Sequence, residues 1–286
     1  MSTDTSRATQ SGRLERPQIR PTGLVRQSLA IVGRNLIHIK RMPEMLMDVT
    51  VQPVMFVLLF AYVFGGSISV PGNASGYREW LLPGIMGQTI AFASFIVAVG
   101  LTADIDKGIV DRMRSLPINP AAVLVGRSIS SLLHSSIGIL VMSLTGLAIG
   151  WRIRGSLLDA LLGYALLLLW GMAMIWVGIL VGSAMRSVEA VNGLMFTTMF
   201  PITFLANTFT PTERMPHWLR LIAEWNPISA LAQATRELWG NGPVAPPDAA
   251  FPLHHPVVAA EIVVRPGQPA RYLVFCDGIA QAVHRL

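Results

Sequence analysis

The sequence predicts an all-α fold of the polytopic membrane class, and both its composition and the spacing of its charges lead there. Of the 286 residues, 52% are hydrophobic and only 13% are charged, and the mean hydropathy is +0.53. Soluble domains carry roughly 25% charged residues, whereas disordered chains combine low hydrophobicity with high charge. A soluble globular enzyme and a disordered chain are therefore both disfavoured.

Five long intervals of the chain contain no Asp, Glu, Lys or Arg. They run over residues 49–77, 80–103, 128–151, 160–185 and 190–212. Each is longer than the roughly 20 residues that a helix needs to cross about 30 Å of hydrocarbon. Buried helices of a large soluble core would need polar helices to cover them, and the sequence offers none. We predict five membrane spans, near 50–69, 81–101, 129–150, 158–181 and 191–211.

The positions of the cations predict the orientation of these spans. The first 48 residues hold eight Arg and Lys and no opening apolar run, so the N-terminus is predicted to stay on the cytoplasmic side of the cell membrane. Alternation then places 102–128 and 182–190 inside, where the inside segments together carry 13 cations against six outside up to residue 240. Since the cations flank spans instead of clustering with aromatic residues in one domain, nucleic-acid binding is not predicted.

The N-terminal region divides into two parts. Residues 1–23 are predicted to be a flexible basic tail. Apolar residues then recur beside cations between Leu24 and Arg41, which favours an amphipathic helix over 24–48 that lies at the cytoplasmic interface. A solvated basic tail is the alternative.

The first cytoplasmic loop, 102–128, combines mixed charge with helical spacing. Apolar Ile105, Ile109, Val110 and Met113 recur at intervals of four, one and three, and Pro117 marks a stop. A short amphipathic helix over 104–117 is suited to docking in the groove of a soluble partner. The alternative is an interfacial helix that only covers the ends of the spans.

The sequence lacks the groups that would let this chain act as an enzyme. A nucleotide-binding loop needs a Gly-Lys pair, but Lys40 and Lys107 follow Ile39 and Asp106. Cys276 stands alone, and we predict neither a metal site nor catalytic residues. His134 is the one titratable candidate within a span, where a hydrogen bond to a neighbouring helix is its common use. Energy for any transport must then come from a partner.

Several segments resemble one family. The string GIVDRMRSLPI (108–118) is similar to the corresponding loop of ABC-2-type permeases, specifically the daunorubicin-resistance group of drug and lipid exporters. Further similar segments follow in the same order and spacing, and the resemblance covers roughly residues 24–240. They are DVTVQPVMFVLLFAYVFGG (48–66), YREWLLPGIMGQ (77–88), RSVEA (186–190) and residues 200–240.

The resemblance implies the membrane subunit of an ATP-driven exporter of a drug, antibiotic or lipid. Residues 49–240 would form the permease domain, paired with a second copy or a related permease subunit and surrounded by membrane lipid. A separate cytoplasmic ATPase would bind ATP and Mg²⁺, with no cofactor on this chain. The loop would dock on it through residues Asp104, Asp106, Lys107, Gly108, Ile109, Val110, Asp111, Arg112, Met113, Arg114, Leu116 and Pro117.

The resemblance also makes predictions for the end of the chain. Residues 212–240 would form short extracellular helices in the outer leaflet, broken by prolines and holding Trp218, Trp225 and Trp239 at headgroup level. The family has a sixth span and a basic tail after them. Residues 241–286 depart from that pattern, because their longest uncharged run, 249–260, is too short to cross.

Substrate contacts are expected to be apolar and aromatic, since the spans offer little else. Lipid-facing or helix-packing positions are the alternative for each candidate. A stand-alone channel or carrier lined by Gln88, Asn192 and Asn207 is the alternative function. The substrate candidates are Phe56, Phe60, Phe92, Phe95, Met195 and Phe196.

Overall fold

The computed structural model describes residues 33, 43–65, 76–114, 120–212, 215–243 and 251–254. Within those ranges every regular element is helical, which confirms the predicted all-α class. The helices are α1 Pro43–Leu59, extended by a π-helical turn Phe60–Phe64, α2 Tyr77–Asp106, α3 Ile109–Arg114, α4 Pro120–Ala148, α5 Leu157–Ala184, α6 Val188–Phe204, α7 His217–Glu224, α8 Pro227–Trp239 and α9 Phe251–His254.

In the described part of the chain, three helices are long and apolar enough to cross a membrane. They are Tyr77–Asp106, Val123–Ala148 within α4, and Leu157–Ala184. The first and last of these contain the second and fourth predicted spans, and the middle one covers the third predicted span, 129–150, as far as residue 148. The shorter apolar helix Thr50–Phe64 covers residues 50–64 of the first predicted span, 50–69. The count of five spans stays a prediction.

The fifth predicted span, 191–211, is longer than the helix that contains it. Helix α6 has 17 residues and ends at Phe204, at the lower limit for crossing the hydrocarbon. Beyond it the chain turns, and the backbone N–H of Asn207 donates to the Ser229 hydroxyl at 2.9 Å. The uncharged run continued to residue 212 because this turn is buried in the protein, and buried turns lack charge as spans do.

Helices α2 and α5 pack backbone against backbone. A Cβ added at Gly178 would lie 2.3 Å from the carbonyl oxygen of Ser94, and one at Gly182 would lie 2.6 Å from that of Ala98. The Thr102 hydroxyl donates to the Gly182 carbonyl at 2.8 Å across the same contact. The glycines therefore allow the close approach that small residues give membrane helices.

Helix α8 folds back into the protein at the predicted outer end. Its Asn226 cap accepts from the Ile228 N–H at 2.9 Å and donates to the Ile202 carbonyl at 2.5 Å. Trp239, at its last turn, is fully buried, so its predicted place at headgroup level is wrong. The reason is Gly163 on α5, whose missing side chain makes room for the indole.

Helix α7 differs from α8 because it leaves its apolar side uncovered. Trp218, Leu221, Ile222 and Trp225 are all about half exposed or more. The predicted proline breaks fall where α7 and α8 begin, since Pro216 caps the first and Pro227 opens the second. Pro201 instead lies inside α6 without ending it.

Some predictions fall on other parts of the chain. The tail 1–23, most of the interfacial segment 24–48, residues Leu116 and Pro117, and nearly all of 241–286 lie outside the described residues. Helix α1 begins at Pro43 and runs through residue 49. The predicted boundary between residues 48 and 49 therefore falls within a continuous helix, and the division into domains stays a prediction.

Candidate functional site

A cavity of about 270 Å³ lies between α1, α2, α4 and α6. Its wall is mainly apolar, and among the described residues that line it there is no Asp, Glu, Lys or Arg. Cavities that bind small molecules are similarly apolar, with a few polar groups that orient the ligand. This one is slightly smaller than the roughly 300–1,000 Å³ that drug-sized ligands occupy.

Three of the six predicted substrate residues line this cavity. Phe56 of α1, Phe92 of α2 and Phe196 of α6 are brought together although they are far apart in sequence. Their expected role in substrate contact stays a prediction.

The other three predicted substrate residues pack within the bundle instead of lining the cavity. Met195 is only 2% exposed in the main core, and Phe95 packs against that core. Phe60 stacks on Phe209, with ring centroids 4.2 Å apart. Aromatic composition alone did not separate these positions from Phe56, Phe92 and Phe196, because packing and cavity residues share the same chemistry.

Two further aromatic residues line the cavity, Phe200 and Phe204. With Phe196 they form a ladder at intervals of four along α6, and the ring centroids are 5.4 Å and 4.4 Å apart in order. Phe209 continues it at 5.5 Å from Phe204. The spacing i, i+4, i+8 places residues on one helix face, so the sequence did carry the signal that identifies them.

The polar residues considered for a stand-alone channel do not line one common passage through the helices. Gln88 lines the cavity. Asn207 is buried in the turn after α6, where it accepts from Arg236 at 3.1 Å, and Asn192 is exposed. His134 is also on the cavity wall, on α4.

The loop predicted to dock on a partner is two helices, not one. Helix α2 extends through Asp106, Lys107 caps it, and Gly108 takes φ +64° before α3 begins. Glycine adopts this left-handed conformation without the strain that a Cβ brings. The continuous helix predicted over 104–117 is therefore wrong, and its break is at Gly108.

The predicted docking residues face different surroundings. Asp106, Lys107 and Arg112 are exposed, whereas Val110 packs against a buried cluster of α2, α4 and α5. Asp104 forms an ion pair with Arg127 of α4, and so contacts this chain. Ile109 is partly buried. The side chains of Asp111, Met113 and Arg114 lie outside the described part.

A cluster of charged and aromatic groups holds the predicted outer end together. Arg236 of α8 is fully buried. Its Nε donates to the Trp80 carbonyl at 2.8 Å, and its Nη2 donates to the Asn207 carbonyl at 2.9 Å. Sequence reasoning counted Arg236 only as an outside cation, and nothing in its spacing identified this role.

The same end contains a two-point ion pair. The Arg154 Nε and Nη2 donate to the two Glu79 carboxylate oxygens at 2.9 Å and 3.0 Å. This side-chain hydrogen bond, and then the charge of Glu79, raise the pKa of Arg154 above its ordinary value. The pair fixes the connection between α4 and α5 to the first turn of α2.

Membrane-length helices around an uncharged cavity, with short helices at both ends, define a multi-pass helical membrane protein. Residues 26–238 match the model of the ABC-2 type transporter family. The chain belongs to that family, which confirms the resemblance seen in the sequence.

Three relatives illustrate the match. The chain is 31% identical to the daunorubicin resistance ABC transporter permease protein DrrB1 of Streptomyces coeruleorubidus, over 75% of both chains. It is 25% identical to the probable doxorubicin resistance ABC transporter permease protein DrrC of Mycobacterium tuberculosis, over 78% of this chain and 80% of that one. It is 22% identical to the putative transport permease ycf38 of Cyanophora paradoxa, over 76% and 75%. The chain is thus a membrane subunit of an ABC transporter.

Proposed function

We propose that this chain is the permease half of an ATP-driven exporter that moves a hydrophobic or amphipathic drug, antibiotic or lipid out across the cell membrane. The observation that carries the proposal is the uncharged aromatic cavity within the helices. An ionised substrate would lose hydration there without gaining a counter-charge, whereas an apolar body gains free energy by leaving water. The names of the two drug-resistance relatives support the same substrate class.

Energy would come from a separate ATPase subunit that binds ATP and Mg²⁺. It would dock from the cytoplasm on α3 and the turn before it, with Arg112 and Lys107 as exposed contacts. Helix α2 supports this proposal because it leads directly from that turn to Gln88 and Phe92 on the cavity wall. Asp104 and Val110 would act by positioning the turn, since both contact other helices of this chain. The other proposed contacts are Asp106, Gly108, Ile109, Asp111, Met113, Arg114, Leu116 and Pro117.

A second permease subunit, identical or related, would complete the cavity. Phe196 and Phe200 line it but are 63% and 44% exposed, so its wall continues onto the surface of the bundle. Membrane lipid would cover the exposed leucines of α4 and α5. The N-terminus and residues 102–128 would lie inside, with 212–240 outside.

The test is drug efflux in cells that express this chain with and without a co-expressed ABC ATPase subunit. Daunomycinone, the aglycone of daunorubicin, is a suitable probe because it is fluorescent and has no amine to ionise, and cells with the complex should accumulate less of it. Arg112→Glu should restore full accumulation of the probe and abolish co-purification of the ATPase, because it reverses an exposed charge at the proposed contact. Arg186→Glu is the matched control, since it reverses an exposed cation in the other predicted cytoplasmic segment.

The proposal is wrong if no ATPase subunit accompanies the purified chain and Arg112→Glu leaves efflux intact. Efflux that persists without any ATPase subunit would favour a stand-alone carrier.

A further inference from the structure

The Arg127 side chain of α4 crosses α2 at its predicted cytoplasmic end. Its Nη1 donates to Oδ2 of Asp104 on α2. Gly100 lies four residues before Asp104, and a Cβ added there would approach Nη2 of Arg127 to 2.5 Å. The guanidinium therefore lies against the backbone of α2, and it has room there because residue 100 has no side chain.

An apolar contact accompanies this ion pair. Leu101 and Leu124 each precede one member of the pair by three residues, and both are buried in one cluster shared by α2, α4 and α5. The Arg127 and Asp104 side chains are themselves 23% and 34% exposed, so solvent screens their charges only in part. Helices α2 and α4 are thus joined at this end by charge and by packing.

Helix α3 belongs to the same assembly. Val110, in its first turn, packs against the cluster that contains Leu101 and Leu124. Helix α3 and the turn at Gly108 are where the ATPase subunit is proposed to dock. A displacement of α3 would therefore act on the contact between α2 and α4.

Helix α4 leads from the ion pair to the cavity. Ser135 follows Arg127 by eight residues, which is two helical turns along one face, and it lines the cavity. The rise of 1.5 Å per residue puts it about 12 Å from Arg127 along the helix. Thr89 lines the cavity from α2. The wall of the cavity can therefore be reached from the docking turn along α4 as well as along α2.

We infer that Arg127 is a positioning residue that makes α4 move with α2 when the docked ATPase binds ATP. This inference rests on the proposed function and deepens it, because it names the contact through which the second wall of the cavity responds. Such coupling needs an element with two arrangements that the partner favours differently, and α4 is that element. Without the Arg127 contact, the α2 wall responds to ATP and the α4 wall does not.

The test reads each wall separately in the purified complex of the full-length chain with a co-expressed ABC ATPase subunit in lipid nanodiscs. Cys276→Ser removes the one cysteine of the sequence. Ser135→Cys then places a reporter on the α4 wall, or Thr89→Cys places one on the α2 wall. Mass spectrometry measures how fast methyl methanethiosulfonate, a small uncharged thiol reagent, modifies each reporter with and without ATP and Mg²⁺.

We expect ATP to change both modification rates by about fivefold or more, the low end of coupling between distant sites. Arg127→Gln should abolish the change at the Ser135→Cys reporter and keep the change at the Thr89→Cys reporter. Arg186→Gln is the matched control, since it removes an exposed cation in the other predicted cytoplasmic segment, and it should keep both changes. An ATP response on α4 that survives Arg127→Gln overturns the inference, and so does the equal loss of both responses, which indicates general structural damage.

Two further variants separate the position of the guanidinium from its charge. Gly100→Ala displaces the guanidinium but keeps the cation, and it should also abolish the response on α4. Asp104→Arg combined with Arg127→Asp exchanges the two charges and should restore at least part of that response. If Arg127→Gln does not fold, Gly100→Ala decides the matter, because an unchanged response at the Ser135→Cys reporter overturns the inference.

The labelling rates stand apart from the efflux test. The expected labelling pattern in a complex that exports no drug supports the inference and contradicts only the proposed substrate class. Drug efflux by wild type, together with a response on α4 that survives Arg127→Gln, contradicts only the inference. A chain that binds no ATPase subunit overturns both.

Discussion

The guanidinium of Arg236 lies over the ring of Trp80, 3.7 Å from its centroid. It also donates to the Trp80 carbonyl and to both oxygens of Asn207. One buried cation therefore joins α8, the first turn of α2 and the turn after α6.

Arg236→Lys should strongly destabilise the protein, because an ammonium keeps the charge but loses the planar fork that reaches these acceptors. We expect a loss of about 3–5 kcal/mol, typical of breaking a buried charged network, seen as a lower midpoint in thermal unfolding of the detergent-purified chain. Arg78→Lys is the control, because Arg78 also lies over a ring, that of Tyr62, but is exposed. Equal midpoints for both variants would contradict this role for Arg236.

Gly178→Ala and Gly182→Ala should each separate α2 from α5. The new methyl groups meet backbone carbonyl oxygens, which have no rotamer to change, so we expect a loss of about 1–3 kcal/mol for each. Gly193→Ala on α6 makes the same change where nothing lies within 4 Å. The midpoint of thermal unfolding of Gly193→Ala should equal or slightly exceed that of wild type. A decrease as large as that of Gly178→Ala would contradict this explanation.

Gly108→Ala should impair coupling without unfolding the bundle. A Cβ there meets nothing within 4 Å, so the cost is that of the left-handed backbone, about 1–2 kcal/mol. We expect reduced daunomycinone efflux at normal yield of folded protein. Gly108→Asn should restore much of it, because Asn tolerates this conformation better than Ala. Equal efflux for Gly108→Ala and Gly108→Asn would argue that the loss of efflux does not come from the left-handed backbone at residue 108.

Asp104 and Arg127 should behave as one unit across the ends of α2 and α4. In a double-mutant cycle with Asp104→Asn and Arg127→Gln, the double variant should lose less stability than the two single variants summed. The difference should be about 0.5–1 kcal/mol, since the pair is partly exposed. Strict additivity in thermal unfolding would show that the pair contributes nothing measurable.

Sequence patterns predicted the long helices well because membrane crossing leaves a simple signature, the absence of charge over about 20 residues. The same signature misplaced the end of the fifth span, since the turn around Asn207 and Thr208 is equally uncharged but buried in protein. The expectation that a charged residue lies at the surface was also wrong for Arg236, which is fully buried. Its burial depends on acceptors more than 25 residues away, and local spacing does not report them.

The candidate cavity could be predicted only in part. The i, i+4, i+8 run of Phe196, Phe200 and Phe204 was present in the sequence and would have identified one wall. No periodicity separates Phe56 from Phe60, because which of the two faces a cavity depends on how α1 packs against its neighbours. The break at Gly108 was similarly hidden within a good helical pattern, since one glycine inside a helix is tolerated.

The buried network around Arg236 and the glycine contact between α2 and α5 have a mechanical consequence. The Arg236 network ties α2 to α8 at the outer end, the glycine contact ties α2 to α5 nearer the cytoplasmic end, and Trp239 is wedged into α5 at Gly163. The three helices therefore form one stiff lever. The turn after α6 is bound to the same lever through Asn207, so any outward opening must separate the lever and α6 from α1. Stacked phenyl rings slide past one another more readily than interlocked hydrogen bonds break. The stack of Phe60 of α1 on Phe209, with ring centroids 4.2 Å apart, is therefore where we expect the two parts to shear.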